Sequence, residues 1–235
     1  MKEVKLTGTK EWAAKTVNIQ YGCENNCEYC YARRMASRFN RIAPQGWDHP
    51  IPKTKRPPLP KDTNVMFPST HDITPANLKT CIQCINVLLG NNNRVLIVGK
   101  PRIECIKAIC DNNAIFNNKT RVEFRFTLGT IDDRVRQLWE PNAPTIEERV
   151  ASVKEAIRCG HNVSISCEPL LDVDCAVVDY FKDWEEISEI WIGAMNYVKD
   201  APDLDYEMIY AWYKDNPKIK WKESFRKHLK GERLS

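Results

Sequence analysis

The sequence predicts an α/β fold: a parallel sheet with helices packed outside it and a polar, functional interior. Three observations predict it. Strand-like and helix-like segments alternate six times along the 235 residues, the pattern of parallel strands joined by crossover helices. Several of these strands carry polar residues on one face only, whereas parallel strands are usually apolar on both faces. The length and the ordinary composition, 43% hydrophobic and 28% charged, suit one large globular domain.

Taken in order, TVNIQY (16–21) alternates apolar and polar residues as a strand, and EYCYARRMASRF (28–39) reads as the first helix. RIAPQGWDHPIPKTKRPPLPKDT (41–63) is proline-rich; its prolines fix φ and remove donors, which predicts an extended surface loop. NVMF (64–67) precedes a helical stretch at 76–89, and RVLIVG (94–99) precedes IECIKAIC (103–110). RVEFRFTLG (121–129) leads to IEERVASVKEAIRCG (146–160), whose final glycine is a helix stop. NVSISCE (162–168) precedes a helix near 174–182, and EIWIGAMN (189–196) precedes YEMIYAWYKD (206–215). Residues 1–215 form the β/α domain, and 216–235 a basic C-terminal extension.

Parity assigns the faces. On 121–129, Val122, Phe124, Phe126 and Leu128 oppose Glu123, Arg125 and Thr127; on 162–168, Val163, Ile165 and Cys167 oppose Ser164, Ser166 and Glu168. On 16–21, Val17, Ile19 and Tyr21 oppose Thr16, Asn18 and Gln20. Such strands suggest a sheet curved around a wet interior.

The net charge of +4 is too mild to demand a nucleic-acid partner, and no apolar run approaches the roughly 20 residues of a membrane span. The opening MKEVKLTGTKEW lacks the apolar core of a secretory signal, so a cytoplasmic location without a membrane partner is expected. In that reducing compartment the ten cysteines are not expected to pair as disulfides.

Three cysteines stand apart. In YGCENNCEYCYARRMA (21–36), Cys23, Cys27 and Cys30 fall in a C-x3-C-x2-C spacing between the first strand and first helix. Crowded thiolates carry about three negative charges and need a metal. A short loop of this kind can wrap an iron–sulfur cube and leave one iron without a protein ligand, and an open position marks a reactive site. Gly22 lets the backbone bend close to it. A non-enzymatic zinc or iron–sulfur module is the alternative. Cys81 and Cys84 could supply it a second pair, or with Cys105 and Cys110 a second cluster, but they lie in helical stretches and are expected to pack as core.

The stretch resembles the signature of the radical SAM superfamily, CxxxCx-aromatic-C, with Tyr29 as its aromatic residue, and the opening looks most like the spore photoproduct lyase-like group. The resemblance implies a partial (β/α)6 TIM-like barrel of parallel strands with outer helices. It also implies a 4Fe–4S cluster on Cys23, Cys27 and Cys30 and S-adenosylmethionine on the open iron. The cluster cleaves the sulfonium reductively, and the resulting 5′-deoxyadenosyl radical abstracts hydrogen from a substrate. An external electron donor of flavodoxin or ferredoxin type is implied as well.

Ligands of parallel α/β folds collect at the carboxyl ends of the strands. After the second strand, PSTHDITP (68–75) departs from the GGE motif that the family places there; Ser69, Thr70, His71 and Asp72 are the available substitutes, either for the methionine ammonium or as helix caps. Lys100, with Arg102 beside it, offers a cation for the carboxylate of S-adenosylmethionine or a substrate anion. Arg125 and Thr127 end the fourth strand near the expected ribose, although Arg125 could equally be paired with Glu123 or Glu168. Ser166 and Glu168 point inward by parity. Gly193 leaves room for a flat ring, and Met195 and Asn196 could line an adenine pocket.

The substrate is not specified by the motif. Two features hint at nucleic acid: the loop KTKRPPLPK (53–61), and Lys218, Lys220, Lys222, Arg226 and Lys230 interleaved with Trp221 and Phe225. Trp139 and Asn142, in the loop before the 146–160 helix, could reach the mouth of the site.

Overall fold

The computed structural model describes residues 6–43, 45–54, 58–196 and 198–230. Strand β1 is Lys15–Thr16; β2 (Gln20–Tyr21) and β3 (Ile51–Pro52) form a separate antiparallel ribbon. The main sheet continues with β4 (Asn64–Phe67), β5 (Arg94–Gly99), β6 (Val122–Thr127), β7 (Asn162–Cys167), β8 (Ile187–Ile192) and β9 (Ile219–Trp221). The spatial order is β1-β4-β5-β6-β7-β8-β9, and every pairing in it is parallel. Each crossover therefore steps in the same direction. With one crossover hand, the connecting helices all fall on one face of the sheet.

The helices are α1 (Tyr31–Arg38), α2 (Leu78–Gly90), α3 (Ile103–Cys110), α4 (Asn113–Phe116), α5 (Asp133–Trp139), α6 (Ile146–Arg158), α7 (Ala176–Phe181), α8 (Tyr206–Tyr213) and α9 (Glu223–Leu229). Their termini follow from sequence: Thr145 accepts from Glu148 N to start α6, and Gly160, at φ +76°, ends it. Val65, Phe67, Ile97, Phe124, Phe126 and Ile165 pack outward against Ile85, Leu88, Ile109 and Val153 of these helices. Each such buried side chain contributes about 1.5–3 kcal/mol of burial.

The opposite face is the interior of a partial barrel. Met66, Leu96 and Val98 pack there against Trp12 and Ala13. Strands β1 and β9 do not pair among the described residues. The 3₁₀ turn Gly8–Glu11 bridges them instead. Lys222, just past β9, donates to Gly8 O at 2.7 Å and pairs with Glu11 at 3.2 Å, while Glu223 N donates to Glu11 Oε2 at 2.9 Å.

Three sequence expectations change. The 16–21 strand divides: Val17 N still bonds Met66 O, but Asn18 turns its side chain to Ser69 and Thr70, and the chain re-pairs only in the β2–β3 ribbon. The 41–63 loop is not wholly on the surface, since Trp47 is buried against Cys23, Ala32 and Ala36. The stretch set apart as a basic extension supplies the seventh strand, β9, and helix α9, whose Phe225 is fully buried. Residues 231–235 of that stretch lie outside the described residues.

Candidate functional site

The cysteine loop leaves β2 through Gly22, at φ +91°, and ends at Cys30, the N-cap of α1. A Cβ on Gly22 would meet Trp47 O at 2.8 Å and Pro50 Cα at 2.9 Å. The glycine is thus demanded by the 46–50 chain and by its positive φ. Four more tethers fix the loop. Cys23 N donates to Trp47 O at 2.9 Å, Glu28 N to Trp139 O at 2.9 Å, and Asn142 Nδ2 to Glu24 O at 3.2 Å. Arg102 donates to Asn25 Oδ1 at 3.1 Å, which turns it towards the loop. Trp139 and Asn142 acquire a role here that the sequence did not give them.

Cys23, Cys27 and Cys30 line one cavity of about 620 Å³ at the carboxyl ends of the strands. That volume is within the usual range for a small-molecule site. The cavity is also lined by Tyr29, Ser69, Thr70, Asp72 and Lys100, and on its other walls by Thr127, Ser166, Glu168, Met195 and Asn196. Of the sequence candidates, Arg102, Arg125 and Gly193 fall outside it. Arg125 is buried beneath, between the rings of Trp12 and Trp191 at 5.1 and 5.0 Å, paired with Glu123 at 2.8 Å and Glu189 at 3.1 Å, and bonded to Ser164 Oγ at 2.9 Å. Parity placed it inside correctly, but a guanidinium deep in the barrel is consumed by its carboxylates.

Burial raises the thiol of Cys23 well above its ordinary value, and Asp72 adds to this; burial also raises Cys30. Cys27 is pushed up to about 12 by burial, against the pull of Lys100. Bare thiols here stay protonated, so metal must replace the protons. Among the described residues, no three or more His, Cys, Asp or Glu side chains are grouped to hold a single metal ion. The donor set itself, three thiols of one short loop lining one cavity, is of the type that holds an iron–sulfur cluster. Cys81, Cys84, Cys105 and Cys110 are buried in the apolar packing of α2 and α3.

Asp72 is buried and engaged on both oxygens: Oδ1 accepts from Lys100 N at 2.8 Å, and Oδ2 from Asn25 Nδ2 at 2.7 Å, with Cys23 Sγ at 3.6 Å. Ser69 N and Thr70 N donate to Asn18 Oδ1, and Tyr31 OH donates to Ser69 O at 2.6 Å. The PSTHDITP segment thus serves as the anchor of the cysteine loop. His71, within the segment, is buried but still lines the cavity; its Nε2 accepts from Ile19 N at 3.4 Å and burial lowers its pKa to about 4.

On the far wall, Glu168 lies 3.6 Å from Lys222 Nζ, and burial raises its pKa against the pull of that ammonium. A Cβ on Gly193 would meet Glu168 Cγ at 2.8 Å, so the room read as space for a flat ring belongs to the glutamate. Ser166 Oγ and Asn196 Oδ1 are buried without a partner among the described residues, and both residues face the cavity.

The sequence reading missed Glu140 and Arg149. Glu140 is fully buried and accepts from Tyr29 OH and from Arg149, with Lys100 Nζ at 3.8 Å. Nothing local marked them, because the partners are up to 111 residues apart.

No family model and no curated protein matches the sequence. Solved structures share the fold. Spore photoproduct lyase complexed with dinucleoside spore photoproduct gives a TM-score of 0.53 at 16% identity, over 86% of this chain and 61% of that one. A mutant of spore photoproduct lyase gives 0.51 at 17%, over 92% and 66%. SuiB of Streptococcus suis bound to S-adenosylmethionine gives 0.55 at 11%, over 88% and 46%. The chain spans about three-fifths of the lyase and less than half of SuiB. Identities this low establish a common fold.

Proposed function

We propose that this chain, built on the fold of spore photoproduct lyase and SuiB, is a radical SAM enzyme. The observation that carries the reading is the cavity itself: the three cysteines of one tethered loop and the polar ends of parallel strands line the same space. Cys23, Cys27 and Cys30 would hold a 4Fe–4S cluster, with S-adenosylmethionine beside it. Together these groups supply reductive C–S cleavage and hydrogen-atom abstraction. The chain's own part is to bind and orient. Ser166 Oγ and Asn196 Oδ1 have unmet hydrogen-bonding capacity for the nucleoside, and Met195 and Thr127 give it walls. The cavity lies at the carboxyl ends of the strands, on the inner side of the sheet. The electron comes from a separate carrier of flavodoxin or ferredoxin type.

The substrate proposed is a nucleic acid or nucleotide. The basic tail does not support this. Lys218 donates to Trp184 O, Lys220 to Pro217 O and Arg226 to Trp221 O; Lys222 is buried with Glu11 and Glu168, and Trp221 and Phe225 are core. Of the proline-rich loop, residues 55–57 lie outside the described residues. Support comes from α1 instead. Tyr31 at the cavity mouth, Arg34, Met35, Arg38 and Phe39 follow the spacing of one helix face and are all exposed. Arg41 lies over Phe39 and Tyr21, and Lys53 over Tyr21. Among the described residues no carboxylate pairs with Arg38, Arg41 or Lys53. Cations interleaved with exposed rings suit phosphates and bases, and one lyase structure of this fold holds a dinucleoside.

Anaerobic reconstitution with iron and sulfide tests the enzyme reading. The protein should turn brown and, once reduced, release 5′-deoxyadenosine and methionine from S-adenosylmethionine. Alanine at Cys23, Cys27 or Cys30 should abolish that release. A colourless protein that purifies with zinc, or cleavage that survives any of the three substitutions, overturns it.

A further inference from the structure

One stretch of the cavity wall has no task in holding the cluster or S-adenosylmethionine. It is built from two segments far apart in sequence. Thr7, Thr9 and Lys10 come from the turn Gly8–Glu11 and the residue before it, and Ser224 and Lys227 from α9. The two segments are locked to each other. Lys222 Nζ donates to Gly8 O and pairs with Glu11, and Glu223 N donates to Glu11 Oε2. The same ammonium lies 4.1 Å from the centre of the Trp12 ring. The rim that carries Lys10 and Lys227 is therefore a fixed part of the fold.

Its side chains differ in what they leave for a ligand. The carboxylates are engaged: Glu11 and Glu168 with Lys222, and Glu223 with a partner of its own. Ser224 Oγ accepts from Ala194 N at 3.3 Å. Among the described residues, the ammonium groups of Lys10 and Lys227 have neither a hydrogen bond nor an ion pair. Thr7 precedes the turn as its N-cap, yet its hydroxyl caps nothing. An ammonium has only donors, and a hydroxyl can donate as well. Lysines facing solvent are commonplace; these two line a cavity, beside hydroxyls, on segments that are tied together. The rim thus offers donors to a compact anion.

We propose that this rim is a phosphate subsite, in which Lys10 and Lys227 bind a phosphate of the substrate and the hydroxyls of Thr7 and Thr9 add donors. This rests on the radical SAM reading, which puts the reactive group in the same cavity, and it narrows the substrate to a phosphate ester of a nucleoside. Lysine binds phosphate as a point charge, without the paired geometry of arginine. The rim therefore suits the terminal phosphate of a nucleotide and the internal phosphate of a strand alike.

The test is isothermal titration calorimetry on the protein reconstituted without oxygen in the presence of S-adenosylmethionine, and on the protein as purified. The probes are the deoxynucleoside 5′-monophosphates, the same nucleosides without phosphate, inorganic phosphate and a mixed-sequence single-stranded oligonucleotide. The variants are K10M, K227M, K10R, K227R and, as a control for net charge, K220M, with circular dichroism as a check of fold. At least one monophosphate, or the oligonucleotide, should bind the parent roughly tenfold tighter than nucleosides and inorganic phosphate do. K10M and K227M should each weaken that binding by about tenfold and leave nucleoside binding unchanged. K10R, K227R and K220M should stay near the parent. Whichever probe shows this pattern identifies the phosphate as terminal or internal.

Binding that does not depend on phosphate overturns the proposal, as does unchanged affinity in either K10M or K227M. Inorganic phosphate that binds as tightly as the esters overturns the rim as a substrate site. An equal loss in K220M, or in the arginine variants, overturns it too. Should one methionine variant fail to fold, the other decides. A parent that takes up no iron–sulfur cluster removes the radical SAM reading instead. That failure shows as missing iron before any probe is added, and the protein as purified still decides the phosphate subsite.

Discussion

Asn25 donates a 2.7 Å hydrogen bond to Asp72 Oδ2, joining the middle of the cysteine loop to the segment after β4. Asn25 is fully buried, and its own Oδ1 accepts from Arg102. One side chain thus ties the loop to the ends of two neighbouring strands. Asn25→Ala would leave Asp72 short of a donor and Arg102 short of an acceptor, at a cost of about 1–3 kcal/mol. Chemical denaturation should show that loss, and iron retained per chain after reconstitution should fall. Gly99→Ala should weaken the same anchor from the other side, because its Cβ would press on the Asp72 carboxylate. Full iron retention in both variants would contradict the anchoring role.

What the sequence made legible was local. The order of strands and helices, the inward parity of Thr127 and Ser166 and the spacing of the cysteines all repeat over a few residues, and the structure places these residues at one cavity. What it hid was long-range. Glu140 meets Tyr29 and Arg149 only once the strands and their loops have assembled, and no spacing in the chain marks that meeting. β9 has three residues, too few for any period to show. Lys222 reads as one more cation in a basic run, yet the fold buries it against Glu11 and Glu168. Charge in a sequence carries no sign of whether its partner is solvent or a carboxylate.

Arg125→Met should harm stability and spare the cavity. It would strand Glu123 and Glu189, whose side chains are 30% and 35% exposed. Removing one partner of a fully buried pair costs about 3–5 kcal/mol; exposure of these carboxylates trims it to about 2–4 kcal/mol. Urea unfolding should report that loss, while S-adenosylmethionine affinity of the reconstituted protein should stay at the parent value. A large fall in affinity with unchanged stability would return Arg125 to the binding site.

His71 predicts a pH dependence. Burial holds its folded pKa at about 4, against about 6.5 when unfolded. Between those values the unfolded chain binds the extra proton, so stability is fully present above about pH 6.5 and is lost as pH falls towards 4. Near pH 5 the slope from this residue is about 1.2 kcal/mol per pH unit. His161, which burial likewise lowers to about 4, adds a second contribution of the same sign. His71→Gln keeps an acceptor for Ile19 N and should remove one proton from the slope. Unfolding midpoints measured from pH 4 to 7 check this; an unchanged slope in the variant would show that His71 is not buried as a neutral ring.

The α1 face predicts a salt-dependent interaction that does not need the cluster. Phe39 is 52% exposed, with Arg38 and Arg41 5.9 and 5.2 Å from its ring centre. A strand of nucleic acid lying along this face would place phosphates on the arginines and a base on the ring. Each lost phosphate contact should reduce the slope of log affinity against log salt by about 0.7 for a single strand. Arg38→Glu and Arg41→Glu should therefore both weaken binding and flatten that slope. Phe39→Ala should cost about 1–3 kcal/mol of stacking and leave the slope alone. Fluorescence anisotropy with a labelled single-stranded oligonucleotide at several salt concentrations separates the two effects. Changing Lys218 and Lys220, whose ammonium groups are already bonded to backbone carbonyls, should alter neither quantity. Equal losses from the tail and from α1 would mean diffuse attraction by net charge and would remove α1 as the docking face.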